Sequence, residues 1–457
     1  MLRNTASFRD SSGFVFEDNN NIYRWVSKEY SKEYAHLNSS GLFAKLLEKG
    51  WIVNHRETDV KLPGYPDPLV VLQHDFLPVI SYPSEWCFSQ LKEAALLTLD
   101  VLNVSLEHGM ILKDGSAYNV QFRGTKPVFI DTLSFALYTE GQPWNGYRQF
   151  CEHFLAPLYL YSKVGLDFQP MLGSRIEGVS LALASKLLPW TTLFQPAALM
   201  HIHAHAKAIS RNGSSERPAT QPSISKKNLI ALIDHLRSTV SSLKLKGLEK
   251  TQWGDYDQQT HYNDVAKASK ALIIKDFTST AGASVIWDVG ANDGLYSRAI
   301  ASDNNIVISM DFDPLAVEKN FRTNATKNIN NVYPLIVDAV NPTASIGWAN
   351  KERPGIALRS KPGLIMALAV IHHLTITCNI PFEAVAEYFS GLAPWLIIEF
   401  VPETDDKVKV LPHTSGKDRY NRSNFDEAFG KFYEKENEIA VKATQRSLLL
   451  LKRKPGV

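Results

Sequence analysis

Val285-Ile286-Trp287-Asp288-Val289-Gly290-Ala291-Asn292-Asp293-Gly294-Leu295-Tyr296-Ser297-Arg298 decides the fold of the C-terminal half of this 457-residue chain. A short apolar run ends in a carboxylate, a glycine-rich turn follows, and a helix-compatible segment begins at Leu295. After a polar gap comes a second apolar run, Ile306-Val307-Ile308-Ser309-Met310, which ends in Asp311, 23 residues beyond Asp288. Strand, tight turn, helix, strand is one βαβ unit of a doubly wound sheet. Gly290 and Gly294 let the chain bend sharply and let a ligand approach the main chain with no Cβ in the way. The dinucleotide fingerprint G-x-G-x-x-G is absent, and Asp288-x-Gly290-x-Asn292-x-Gly294 stands in its place.

That pattern resembles the first motif of the class I S-adenosylmethionine-dependent methyltransferases, and the likeness continues along the chain. Asp311 falls where the family has the acid that accepts from the ribose hydroxyls. Val337-Asp338-Ala339 is similar to the acidic turn that brackets the adenine. Residues 364–374, ending Val370-Ile371-His372-His373-Leu374, resemble the fourth strand and the loop facing the substrate, and Leu396-Ile397-Ile398-Glu399-Phe400 the fifth strand. Asn292 departs from the glycine of many members, but asparagine tolerates left-handed backbone. The resemblance implies a Rossmann-like α/β domain, mostly parallel with a C-terminal antiparallel strand. It implies S-adenosylmethionine as cofactor, held by Asp288, Gly290, Asn292, Gly294, Asp311, Asp338 and Ala339. His372 or His373 is the expected base for a hydroxyl acceptor, with Glu399 orienting the histidine or the acceptor. No Asn/Asp-Pro-Pro-Tyr/Phe follows the fourth strand, which speaks against methylation of base amines or glutamine amides.

Length alone calls for two or three domains. The chain is 44% hydrophobic and 21% charged with a net charge of +2, an ordinary globular balance that gives no electrostatic reason to expect nucleic acid. Three scattered cysteines form neither a zinc pattern nor a disulfide framework, as suits a reducing cytoplasm. No apolar run reaches membrane-span length and the first residues carry no signal core.

Ahead of the decisive stretch, Phe14-Val15-Phe16 and Ile22-Tyr23-Arg24-Trp25-Val26 flank a turn-rich Asp18-Asn19-Asn20-Asn21 and read as a hairpin. Helical spacing covers 34–49 and, more strongly, 84–108. Then Asp114, Asn119 five positions on, and Asp131 at the end of Val128-Phe129-Ile130 resemble kinase-like catalytic and metal-binding segments. That resemblance implies a nucleotide and magnesium site. A glycine-rich phosphate loop is missing, Arg24 stands where a strand lysine is wanted, and Thr132-Leu133 replaces Phe-Gly. The competing reading is a β-turn whose Asp and Asn cap local backbone. His201, His203 and His205 alternate; only His201 and His205 share a helical face, which allows a metal pair but not three ligands, and with no carboxylate nearby an ordinary polar face is expected and no metal.

The expected organisation is an α+β domain over 1–209, a linker over 210–225 broken by Pro218 and Pro222, and a methyltransferase domain over 226–457 opened by lid helices. Trp253, Tyr256 and Tyr262 either pack on the ligand or staple those helices together. The whole chain resembles the large bacterial methyltransferases grouped with a nodulation-associated protein. The expected acceptor is a hydroxyl of a small molecule or glycan. Two other readings stay open: a bifunctional protein with a kinase-like first domain, and a module that binds S-adenosylmethionine without turnover.

Overall fold

The structure is a computed structural model that describes residues 2–4, 6–19, 21–166, 168–212, 223–247, 264–412 and 414–456. It divides into two units, Met1–Leu248 with Ser345–Pro354, and Glu249–Ala344 with Gly355–Val457. No helix among the described residues is long and apolar enough to cross a membrane.

The first unit begins with a five-stranded antiparallel sheet in the order β1-β2-β3-β5-β4, from β1 (Leu2–Arg3), β2 (Gly13–Asp18), β3 (Asn21–Val26), β4 (His55–Thr58) and β5 (Val70–His74). The β2–β3 hairpin turns through Asn19, whose φ is 47°. The helical stretch expected over 34–49 is two helices, α1 (Ser31–Ser39) and α2 (Leu42–Glu48), parted at Gly41 with φ 80°. Next, α3 (Phe88–Glu107) buries Leu91, Ala94, Ala95, Leu99 and Leu102. Two small antiparallel pairs follow it: β6 (Met110–Leu112) with β9 (Phe135–Leu137), and β7 (Val120–Arg123) with β8 (Lys126–Phe129).

Helix α4 (Lys226–Ser242), expected to open the second domain, lies in the first unit against α3. Arg237 Nε meets Asp100 Oδ1 at 2.6 Å, Asn103 donates to Asp234 at 3.2 Å, and Lys92 Nζ donates to the carbonyls of Ser241 and Leu243 at 2.7 and 2.9 Å. The division therefore falls at Leu248, later than the linker expected at 210–225, most of which lies outside the described residues. Trp253, Tyr256 and Tyr262 also lie outside them.

A second departure is the short turn-back at Ser345–Pro354, which follows the third strand of the second unit in sequence yet belongs to the first unit. Ile346 and Arg353 form an antiparallel bridge. The buried carboxylate of Glu352 takes both arms of Arg9, at 2.6 and 2.8 Å, and accepts from the Trp348 N–H at 3.1 Å. The Arg353 guanidinium lies 4.4 Å from the ring centre of Tyr118.

The second unit is a seven-stranded sheet in the order β12-β11-β10-β13-β14-β16-β15. Its parallel strands are β10 (Val285–Val289), β11 (Ile306–Asp311), β12 (Val332–Ile336), β13 (Leu364–Ala367) and β14 (Trp395–Phe400). The antiparallel pair β15 (Tyr433–Ala440) and β16 (Ser447–Arg453) closes it. Strands buried on both faces explain the near-continuous apolar runs of the sequence. Helix α5 (Asp264–Ala281) precedes the sheet; α6 (Leu295–Ile300), α7 (Pro314–Lys327), α8 (Phe382–Leu392) and α9 (Arg422–Phe432) come after β10, β11, β13 and β14 respectively. The shared core includes Ile274 and Phe277 of α5 with Ile286, Val307, Leu364, Met366, Ile397, Leu448 and Leu450.

Candidate functional site

The turn after β10 runs through three left-handed residues, Gly290 (φ 72°), Asn292 (φ 51°) and Gly294 (φ 76°). Two of them have no room for a side chain: a Cβ on Gly290 would lie 2.4 Å from Val370 Cγ2, and one on Gly294 would lie 2.3 Å from the Asn320 amide. The turn is pinned by the Ala291 N–H to the Met310 carbonyl and by the Asn292 N–H to Asp311 Oδ2 at 2.7 Å. Register places Val289 beside both Met310 and Ala367, so the carboxyl ends of β10, β11 and β13 lie side by side.

Asp288 is 1% exposed. Its Oδ2 accepts from Ser297 Oγ at 2.5 Å, and its buried Oδ1 has no partner. Burial pushes this carboxyl up to about 7, while Ser297 and Lys270 oppose the rise and Asp311 adds to it. Asp311 is pushed up to about 6 by burial, against the pull of its hydrogen bonds from the Asp313 and Asn292 N–H groups. Asp338 lies two residues past β12, exposed, with Oδ1 accepting from the Val340 N–H at 2.8 Å; Ala339 beside it is half-buried.

The loop after β13 turns at Ala369 (φ 55°), sends Val370 towards Gly290, and carries His372 and His373. The two rings stand 4.2 Å apart, centre to centre. His372 is buried with Nδ1 unpartnered. Burial, then His373, Arg446 and Lys270, hold its imidazole well below the ordinary value. His373 is half-buried and is lowered by burial and by Lys407.

Glu399, expected beside the histidines, is fully buried at the end of β14 in an ion pair with Lys270, 2.5 Å from Nζ. Arg446 Nη1 stands 3.8 Å from its other oxygen and pairs with Asp405 at 2.7 Å. Lys270 was not singled out from sequence, although its position carries a signal. It lies on the stripe Ala266, Ser269, Lys270, Ile273, Ile274, Phe277 that α5 buries, where a lysine needs a partner.

In the first unit, Asp114, Asn119 and Asp131 do come together. Asn119 Nδ2 donates to Asp114 Oδ1 at 2.7 Å and to Ser134 Oγ at 3.0 Å, and Ser134 Oγ donates to Asp131 Oδ2 at 2.7 Å. Arg24 of β3 forms an ion pair with Asp131. Burial and Asp131 push Asp114 up to about 7, while Asp131 itself is held low, its burial overcome by Arg24, Ser134, the Leu133 N–H and Lys113 together. The three alternating histidines part company: His201 bonds to Tyr147 and His235, His203 to Ser185 and Thr192, and His205 stacks on Tyr147. Among the described residues no group of three or more His, Cys, Asp or Glu is placed to hold a metal ion.

No protein-family model matches the chain. Nodulation protein NoeA of Rhizobium meliloti (strain 1021) is 33% identical over 462 residues, covering 99% of this chain and 96% of the relative. The chain belongs to the NoeA family. Its second unit has the class I methyltransferase strand order, with the antiparallel closing pair the sequence resemblance implied. Solved structures similar to this NoeA relative include N-methyltransferase NodS from Bradyrhizobium japonicum WM9 in complex with S-adenosyl-l-homocysteine, at 11% identity, 46% of this chain, 92% of that chain and a TM-score of 0.30. Magnesium protoporphyrin IX methyltransferase from Synechocystis PCC 6803 with bound SAH aligns at 15% identity over 43% of this chain and 89% of that one, TM-score 0.31. A SAM-dependent methyltransferase from Aquifex aeolicus aligns at 12% identity over 45% and 100%, TM-score 0.32.

Proposed function

We propose that this chain is an S-adenosylmethionine-dependent methyltransferase acting on a hydroxyl of a small molecule or glycan. The observation that carries the reading is the set of acids at the tips of three adjacent parallel strands, with a buried, unpartnered Asp288 Oδ1 beside a turn that has no room for a Cβ at Gly290 or Gly294. An orphaned buried carboxylate oxygen is costly unless a ligand completes it, and the cationic methionine end of the donor has the right charge. Asp311 suits the ribose hydroxyls and Asp338 the adenine edge, with Ala339 alongside.

The donor supplies an activated methyl group on a positive sulfur. The residues of this chain then have two tasks: to hold donor and acceptor in line, and to keep water out. A third is to take the proton of the acceptor hydroxyl. For that task His373 is preferred over His372, because Arg446 and Lys270 both oppose a second proton on the buried His372 ring. Glu399, bound to Lys270, is assigned to holding the cluster rather than to proton transfer.

Calorimetry with S-adenosylmethionine and S-adenosylhomocysteine tests the cofactor, and a labelled-methyl assay on cell extract tests turnover. Binding should weaken about tenfold or more in Asp311→Ala as the ribose bonds are lost. His373→Gln should lower turnover about a hundredfold with binding kept. Unaltered binding in Asp311→Ala would remove the assignment of the ribose acid, and binding with no turnover would favour a non-catalytic module.

A second reading concerns the first unit. The gathering of Asp114, Asn119 and Asp131 beside a five-stranded antiparallel sheet favours a kinase-like nucleotide site. Arg24 on Asp131 competes with a metal there. ATP with magnesium should raise the melting temperature, an effect abolished by Asp131→Ala; no shift would remove this reading.

A further inference from the structure

The cluster at the ends of β10 and β14 contains a buried cation to which the reading above gives no role at the donor site. Lys270 is 3% exposed and Glu399 0%. Besides its bond to Glu399, Lys270 Nζ lies 4.7 Å from the ring centre of Tyr296, the residue before Ser297. Ser297 is the donor to Asp288 Oδ2, so the lysine stands by the short helix that also serves Asp288. The groups facing this cluster come from every side. Lys270 comes from α5, Tyr296 and Ser297 from α6, and Ser309 and Asp311 from β11. Glu399 comes from β14, Asp405 from the loop after it, Arg446 from the turn between β15 and β16, and His372 from the loop after β13.

Glu399 has two cations within reach, at 2.5 and 3.8 Å, and Asp405 has one at 2.7 Å. Asp288 Oδ1, like His372 Nδ1, is left with no hydrogen-bond partner. Buried carboxylates lose their charge unless a donor or a cation is near, so the charge on Asp288 draws first on the Ser297 hydroxyl and beyond it on the field of Lys270. We propose that Lys270 is a positioning residue for the methyl-donor site: by neutralising Glu399 and casting its field on Asp288, it keeps Asp288 poised to ionise. Arrival of a cationic ligand at Oδ1 is then coupled to release of a proton from the Asp288 carboxyl to solvent. The proposal rests on the methyltransferase reading for the identity of the ligand but not for the coupling itself. Burial raises Asp288 and Lys270 opposes that rise, which agrees with the geometry.

The test uses the full chain. S-adenosylmethionine binding is measured by calorimetry between pH 6 and 8 in phosphate and in Tris, whose ionisation heats differ, so that the proton count on binding is read directly. Proton release is expected, and no release anywhere in that range overturns the proposal. Lys270→Met should move the release profile to higher pH by roughly half a unit or more, and Lys270→Arg should restore it. A merely structural lysine would change affinity without moving the profile, and that result also overturns the proposal. Because Lys270→Met leaves Glu399 buried without its lysine, Lys270→Met/Glu399→Gln is the second variant, with the same direction expected. If the wild-type protein binds no S-adenosylmethionine, the methyltransferase reading fails by itself. The coupling is then judged by a carboxyl-carbon NMR titration of Asp288 without ligand, where an unmoved titration in the Lys270 variants rejects it.

Discussion

Gly294 holds a place that no other residue can take at low cost. Its φ of 76° opposes any L side chain, and a new Cβ would enter the Asn320 amide, which is bonded to Arg298, Asn324 and Ser309. Gly294→Ala should therefore cost about 2 kcal/mol or more, read by urea denaturation, from backbone strain and overpacking together. The nearby acids give a pH signature. Asp288 and Asp311 titrate above the usual aspartate range in the folded protein, at about 7 and about 6. The native state thus holds more protons than the unfolded chain between roughly pH 4 and 7. Their contribution to stability is greatest below that window, falls as pH rises through it, and is flat above it. Asp288→Asn should make the fall in melting temperature from pH 5 to 7 shallower. The turn itself was legible because its pattern is local: strand, acid, glycine and helix start sit within 14 consecutive positions. The Lys270–Glu399 bond was not, because its partners are 129 residues apart and the strand pattern around Glu399 does not say which cation meets it.

At the scale of elements, α4 shows where pattern stops short of structure. Its buried face, Leu229, Ile233, Leu236 and Val240, is plain in the sequence as helical spacing. Periodicity tells that a face must be covered but not by which core, and the helix serves the first unit, where Arg237, Asp234 and the last-turn carbonyls find α3. Ile233→Ala should cost about 2–4 kcal/mol through the cavity it leaves. Hydrogen exchange should speed up in α3, while the strands of the second unit keep their protection. The closing elements were easier. In the sequence, 424–432 reads as a last helix and 438–441 with 447–452 as an antiparallel pair; in the structure α9 starts two residues earlier at Arg422, β15 runs from Tyr433 to Ala440, and β16 ends one residue later at Arg453. There Arg422 ties α9 to β15 through both oxygens of Glu438, at 2.7 and 2.8 Å.

At the scale of the molecule, each unit has its own core, yet the first contains a piece of chain encoded far downstream. Ser345–Pro354 reads in sequence as an unremarkable loop, with a glycine, a proline and mixed charges, so its allegiance left no pattern to find. Glu352→Ala should lower the stability of the first unit by about 1–2 kcal/mol, since the buried carboxylate binds an Arg9 that is itself 64% exposed. Calorimetric unfolding should show the earlier transition moving and the other staying in place. Equal movement of both would mean that the turn-back supports the whole chain.

That arrangement has a consequence for birth on the ribosome. Leu248 leaves the exit tunnel about 100 residues before the segment that supplies Glu352 to Arg9 and Arg353 to Tyr118. At roughly 5–20 residues per second, the N-terminal body spends several seconds or more unfinished while the following β-strands emerge. Folding first domain first therefore leaves the opening half short of about 1–2 kcal/mol until part of the next has been translated.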